Sequence, residues 1–283
     1  MADIKKMAFA GSWYPADSDA CIRSISGFLK DRPEPAKGRF KGGIVPHAGW
    51  IYSGSIACRV IASLRGAQPV DTVILFGGHM HPDSDPLLLS HGSVQTPLGE
   101  IRVADDITRE IADVTGAKQI PPDRFPDENT LELQYPFIKH FFPHARIVVC
   151  CVPLSGQAKV IGNEACRAAR TVSAQFKIIG STDMTHYGPD FNFTPAGTGV
   201  KAVEWVKTVN DRHAIEALVD MDAEQIVNQG VAHRNMCCAG AAAAAASACK
   251  ANGAVSGVSL DYATSYEKSA GLSFVGYSGI LYS

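Results

Sequence analysis

Several apolar runs of this chain end in side chains that can bind a metal or move a proton. Residues 43–45 run into Pro46-His47-Ala48-Gly49, and residues 72–76 into Gly77-Gly78-His79-Met80-His81. Residues 177–180 lead to Ser181-Thr182-Asp183-Met184-Thr185-His186, and Cys237-Cys238 precede an alanine-rich stretch. Imidazole, thiolate and carboxylate together suit iron(II), copper or zinc. An aspartate and a histidine three apart share a face of one helical turn, the spacing of a ligand pair or of a base with its orienting partner. Glu128 and Glu132 share a face if their segment is helical, and one of them could act as a general base. Cys237, at the start of a helix, would have its thiolate favoured there.

Each residue also has a plainer reading. His47 can cap a turn, and His79 and His81 can belong to a polar loop. Asp183 can cap a short helix, with His186 bonded to a carbonyl. The two glutamates can form a solvated first turn favoured by the helix dipole, and for Glu132 that reading is preferred. Cys237 can be a small buried hydrophobe. The strand-end pattern favours function for Asp183 and His186.

The elements that must position these residues alternate between strand and helix. Residues 72–76 (TVILF) and 146–152 (RIVVCCV) are continuous apolar runs, as expected of strands buried on both faces. Helical spacing appears at residues 21–29, 53–64, 105–114, 131–142, 156–174, 203–218, 223–228 and 236–251, with Pro136 bending its helix or marking that helix's true first turn. Pro33-Glu34-Pro35 reads as a connector, Gln95 to Gly99 as a turn, and residues 255–262 and 272–282 as strands that pair antiparallel. Strand–helix alternation predicts an α/β fold, a central mixed and largely parallel sheet flanked by helices. No composition break divides the 283 residues, so a single domain over 1–283 is expected. The metal-capable strand ends should converge at one edge of that sheet, where open α/β sheets collect ligands.

Bulk properties exclude several classes. Hydrophobic residues are 46% and charged residues 19% of the chain, an ordinary globular balance. A formal net charge of −2 without a basic run gives no support to nucleic acid or anionic lipid as a partner. No apolar run reaches the roughly 18 residues of a membrane helix, and no signal-peptide h-region is seen near the N-terminus. The eight cysteines include two adjacent pairs and no CxxC, which favours free thiols in a reducing, cytoplasmic setting. Phosphate-binding glycine loops and the GxSxG elbow are missing, leaving ATP, NAD and serine-hydrolase chemistry unsupported.

In order along the chain, Gly11-Ser12-Trp13-Tyr14, Pro46-His47-Ala48-Gly49-Trp50, Tyr52-Ser53-Gly54, Gln95-Thr96-Pro97-Leu98-Gly99, residues 128–136, Ser181-Thr182-Asp183 with His186, and Val275-Gly276-Tyr277 resemble the Memo family. That resemblance implies a fold similar to the class III extradiol dioxygenases. It implies metal binding, iron(II) or copper, by His47, by His79 or His81, and by Cys237, with Asp183 and His186 lining the same pocket. Three departures stand out. Strict alignment puts Met80 where the family has a histidine, so a neighbour must replace it through a local backbone shift. The family's Glu-His-Ser becomes Glu128-Asn129-Thr130. The glycine and proline usual after the late cysteine become Cys238 and Ala241.

The function expected from residues and resemblance together is a redox-metal pocket acting oxidatively on a small molecule. His186, Asp183 and Glu128 are its candidate acid–base or carboxylate groups. The alternatives are a peptide-binding module using the same pocket, as in animal members of the family, and a metal-handling protein without turnover. Prokaryotic relatives occur alongside radical-SAM and AMMECR-type proteins, which makes those candidate partners.

Overall fold

The computed structural model describes residues 3–30 and 36–283; the Pro33–Pro35 connector lies outside them. Among the described residues a nine-stranded mixed sheet runs in the order His186–Tyr187, Phe274–Tyr282, Gly42–Val45, Phe176–Ser181, Thr72–Gly77, Arg146–Cys151, Leu87–Leu89 and Lys118–Ile120, with Gly257–Thr264 paired to Phe274–Tyr282. The four central strands are parallel, and the pairings of Phe274–Tyr282 with its neighbours are antiparallel. Helices cover both faces, so the α/β expectation holds. A second, three-stranded sheet joins Ile4–Lys5, Ser93–Val94 and Ile101–Arg102.

The central strands are buried on both faces because helices pack on both. Strand Thr72–Gly77 is buried throughout. Cys150 and Cys151, adjacent on strand Arg146–Cys151, belong to the two opposite core layers, as period-two side-chain alternation requires. All eight cysteines are free. One core layer holds the alanine-rich helix Ala239–Ala251, whose residues from Ala239 to Cys249 are all buried. The other packs helix Trp50–Ser63 and its Trp50, stacked 4.2 Å from Phe137.

Helix Trp50–Ser63 begins three residues before the expected start, helix Ala223–His233 runs five residues past its expected end, and three more helical patterns differ in kind. The pattern over 131–142 is two short helices, Asn129–Glu132 and Tyr135–Phe141, with Pro136 in the first turn of the second. Proline lacks the N–H that a helix interior needs and is tolerated at a first turn. The pattern over 203–218 contains a π turn, Val206–Asn210, between Val200–Trp205 and Asp211–Val219. The alanine-rich helix starts at Ala239 rather than at 236, which leaves Cys237 in the turn ahead of it.

Candidate metal centre

The four central parallel strands deliver their C-terminal ends to one edge, and His47, His79, Asp183 and His186 follow those ends. His47 lies two residues past Gly42–Val45 and is 2% exposed. Its backbone N–H donates to Asp183 Oδ1 at 2.7 Å, and its Nδ1 lies 3.0 Å from Ser181 Oγ. That leaves Nε2 facing Cys237 Sγ at 3.2 Å. The peptide around His47 is fastened from the other side, where Gln134 Nε2 donates to Pro46 O and Asn129 Nδ2 to His47 O.

His79 arrives by a sharper exit. Gly78 adopts a φ of +95°, and a Cβ there would lie 2.7 Å from the Cβ of Cys151. Only glycine takes this backbone and this closeness without strain. Gly78 N–H donates to Thr130 Oγ1, whose hydroxyl donates to Glu128 Oε2. The turned chain sets the His79 ring edge-on to His47, centroids 5.2 Å apart. His79 Nδ1 is 3.4 Å from Glu128 Oε2, and Glu128 Oε1 accepts the His79 N–H.

Cys237 is partly exposed. Its N–H donates to Asp183 O, while its sulfur accepts from Asp183 N–H at 3.3 Å. Cys238 N–H donates to Thr182 Oγ1 at 3.1 Å, which locks the cysteine turn to the end of strand Phe176–Ser181. One donor atom each from His47, His79, Cys237 and Cys238 falls within a group no more than 4.8 Å across. Asp183 Oδ2 completes the surroundings at 3.9 Å from both His47 Nε2 and His186 Nε2. His186 Nε2 is buried with no partner at hydrogen-bond distance.

The electrostatics follow from one sulfur among three imidazoles. Burial pushes the Cys237 thiol up, but the Cys238 thiol, His47 and His186 outweigh it and hold its pKa well below the ordinary thiol value. The Cys237 sulfur and then Glu128 raise His79 to about 10 against the opposing effect of burial. Burial lowers His47 and His186, yet Asp183 and Cys237 raise both overall. Burial raises Asp183, opposed by His47. Cys238 is pushed well above the thiol value, first by burial and then by its charged neighbour.

The strand ends and the turn ahead of helix Ala239–Ala251 thus bring His47, His79, Cys237, Asp183 and His186 together, with Glu128 behind His79. His81 is not among them: its side chain is 72% exposed and pairs with Asp83. Met80 packs against the core instead. Glu132 is not in a solvated turn. It is 4% exposed and accepts from Ala8 N–H, Phe9 N–H and Tyr14 O–H, binding the N-terminal segment to the core. Ser181, Thr182 and Thr130, which hold the donors, were given no role by the sequence; a run of small hydroxyl residues at a strand end was the available signal.

A family model described as Memo-like protein matches residues 5–281. The chain belongs to the Memo family. A MEMO1 family protein of Thermococcus onnurineus is 29% identical over 294 residues, covering 99% of each chain. One of Nitrosopumilus maritimus is 29% identical over 291 residues, 98% of each. A third, of Pyrobaculum arsenaticum, is 30% identical over 198 residues, 66% of this chain and 70% of its own. Family membership therefore covers the segments that supply every donor of the site.

Beside the site, an apolar cavity of about 750 Å³ is walled by Trp13, Tyr14, Phe28, Trp50 and Tyr52. It reaches the site's own loop, because Ala48 and Gly49 directly after His47 form part of its lining. Among the described residues no helix is long and apolar enough to cross a membrane.

Proposed function

We propose that this chain binds one transition-metal ion, iron(II) or copper, on His47, His79 and Cys237 and uses it in oxidative chemistry on a small molecule. The observation that carries the reading is the grouping of those three donors with Cys238 inside 4.8 Å, although they leave three different places in the chain. Donors at about 2.0–2.3 Å from a shared ion stand roughly 3.3–3.8 Å from one another. His47 Nε2 and Cys237 Sγ are 3.2 Å apart, and the Cys237 and Cys238 sulfurs 3.8 Å. The far sides of the two histidines fit as well, since Nδ1 of His47 has Ser181 and Nδ1 of His79 has Glu128. Metal-bound imidazoles usually have such a partner, which fixes tautomer and ring orientation. Two imidazoles and a thiolate are a set for iron, copper(I) or zinc rather than for magnesium or calcium.

A bound redox ion would supply one-electron chemistry and Lewis acidity. The chain's own residues supply the rest. Asp183 and His186 lie at the edge of the donor group, where the unpartnered His186 Nε2 can take or give a proton. Glu128 holds His79 rather than facing the donors directly. The aromatic cavity after His47 offers an apolar organic substrate a place beside the site. Free thiols throughout suit a reducing cytoplasmic setting.

The adjacent sulfurs of Cys237 and Cys238 favour a second reading, copper(I) sequestration without turnover. Metal analysis of protein purified without oxygen, beside His47→Ala and Cys237→Ala, tests both. Near-stoichiometric iron or copper that both variants lose supports the site. Protein that neither carries nor takes up iron(II) or copper(I) sinks both readings. Oxygen consumption with catechol-type substrates then separates an enzyme from a metal store.

A further inference from the structure

The loops that carry Asp183–His186 and Cys237 bond to each other directly at Asp183 and Cys237, and a second structural device that belongs to neither bridges them from behind. In the π turn Val206–Asn210 the chain widens, and Asn210 and the following Asp211 are both buried beneath the site. A π turn is rare and occurs often at functional sites. Asp211 Oδ1 accepts from Thr185 N–H at 2.9 Å and from the Thr185 hydroxyl, while Oδ2 accepts from Tyr262 O–H at 2.7 Å. Asn210 Nδ2 donates to Thr185 Oγ1 at 2.9 Å and to His233 O at 3.2 Å. Asn210 O accepts from Asn235 Nδ2 at 3.0 Å. Thr185 directly precedes His186, and Asn235 lies two residues before Cys237.

The last strand makes room for this arrangement. A Cβ on Gly276 would lie 2.0 Å from Asp211 Oδ2, so glycine is required where the carboxylate passes. Gly276 in turn exchanges backbone bonds with the site segment, its N–H donating to Thr185 O and Met184 N–H donating to its own carbonyl. Burying a carboxylate is costly unless its bonds are met. Here two of its three donors come from Thr185 alone.

We infer that Asn210 and Asp211 are positioning residues that fix the separation between the Asp183–His186 segment and the Cys237 turn through Thr185 and Asn235. The inference rests on reading His47, His79 and Cys237 as ligands, and its test separates the two. Cobalt(II) is the probe, titrated into the full chain and read by the thiolate-to-cobalt charge-transfer absorption. Asp211→Asn and Thr185→Val should weaken cobalt by about tenfold or more, as outer-shell changes do, and alter the band. Ile111→Val, a destabilising change in the distant core, should do neither. If Asp211→Asn does not fold, Thr185→Val carries the comparison. Wild-type affinity and spectrum in the folded variants, whatever their melting temperature, overturns the inference and leaves the metal reading intact. Should the wild type bind no cobalt, the metal reading is decided by the iron(II) and copper(I) measurement above, and the alkylation rate of Cys237 by iodoacetamide becomes the readout for positioning. A several-fold change in Asp211→Asn and Thr185→Val but not in Ile111→Val then supports the positioning role; unchanged rates overturn it.

Discussion

His47 Nε2 and Cys237 Sγ stand 3.2 Å apart although 190 residues separate them in the chain. A ring nitrogen and a thiolate held at that distance share either a proton or a cation. Removing either one should therefore abolish tight metal binding, beyond the roughly 10–100-fold loss typical of a supporting residue. Cys237→Ser should in addition lose the sulfur charge-transfer band with cobalt(II). A Cys237→Ser protein that keeps the band would place the thiolate ligand elsewhere, with Cys238 the next sulfur.

The two histidines of the second strand exit should behave oppositely. His79 faces His47 and is backed by Glu128, whereas His81 points into solvent beside Asp83. His81→Ala should leave metal content and melting temperature unchanged, and His79→Ala should lose the metal. Equal losses in the two variants would mean that His81 swings inward when the ion binds.

Metal uptake should release protons. The Cys237 sulfur and Glu128 hold the His79 pKa at about 10, so ion-free His79 is protonated at neutral pH and must lose that proton to become a ligand. Affinity should rise with pH until about pH 10, and calorimetry in buffers of different ionisation enthalpy should register the release. The stability of ion-free protein runs the other way: the raised His79 pKa contributes fully below the ordinary histidine value of 6.5 and is lost as pH climbs through about 10. Affinity that stays flat between about pH 6 and about pH 9 would contradict a protonated His79.

Glu132 should matter for stability rather than for metal. Glu132→Ala removes the acceptor of the partly buried Ala8 and Phe9 N–H groups and of the buried Tyr14 hydroxyl. At roughly 1–3 kcal/mol for the buried hydroxyl left unsatisfied, and less for the two N–H groups that water can reach, a loss of about 2–4 kcal/mol is expected in urea unfolding. Glu132→Gln keeps one acceptor oxygen and should lose less. Because Trp13 and Tyr14 wall the cavity beside His47, ligand binding there should weaken in step with stability. Unchanged unfolding of Glu132→Ala would show that the N-terminal segment is held by other contacts.

The sequence by itself determined the α/β class, since helix and strand periodicities depend only on local side-chain order. Continuous apolar runs at 72–76 and 146–152 marked strands buried on both faces, and the adjacent Cys150 and Cys151 could only point to opposite layers. The strand-end pattern also points to Asp183 and His186; for His47 and Cys237 the residues alone read equally as a turn cap and a small buried hydrophobe, and the metal role comes from the family resemblance. Tertiary structure decided the choice between His79 and His81, which turns on the left-handed backbone of Gly78 and its contact with Cys151. It decided that Glu132 is buried, because its donors lie some 120 residues earlier and no local pattern reports them. The role of Asn210 and Asp211 was likewise invisible, hidden in a helical pattern whose one wide turn shows only when Thr185 and Asn235 pack against it. Strand ends are written in local order; which donors meet there depends on contacts between segments far apart in the chain.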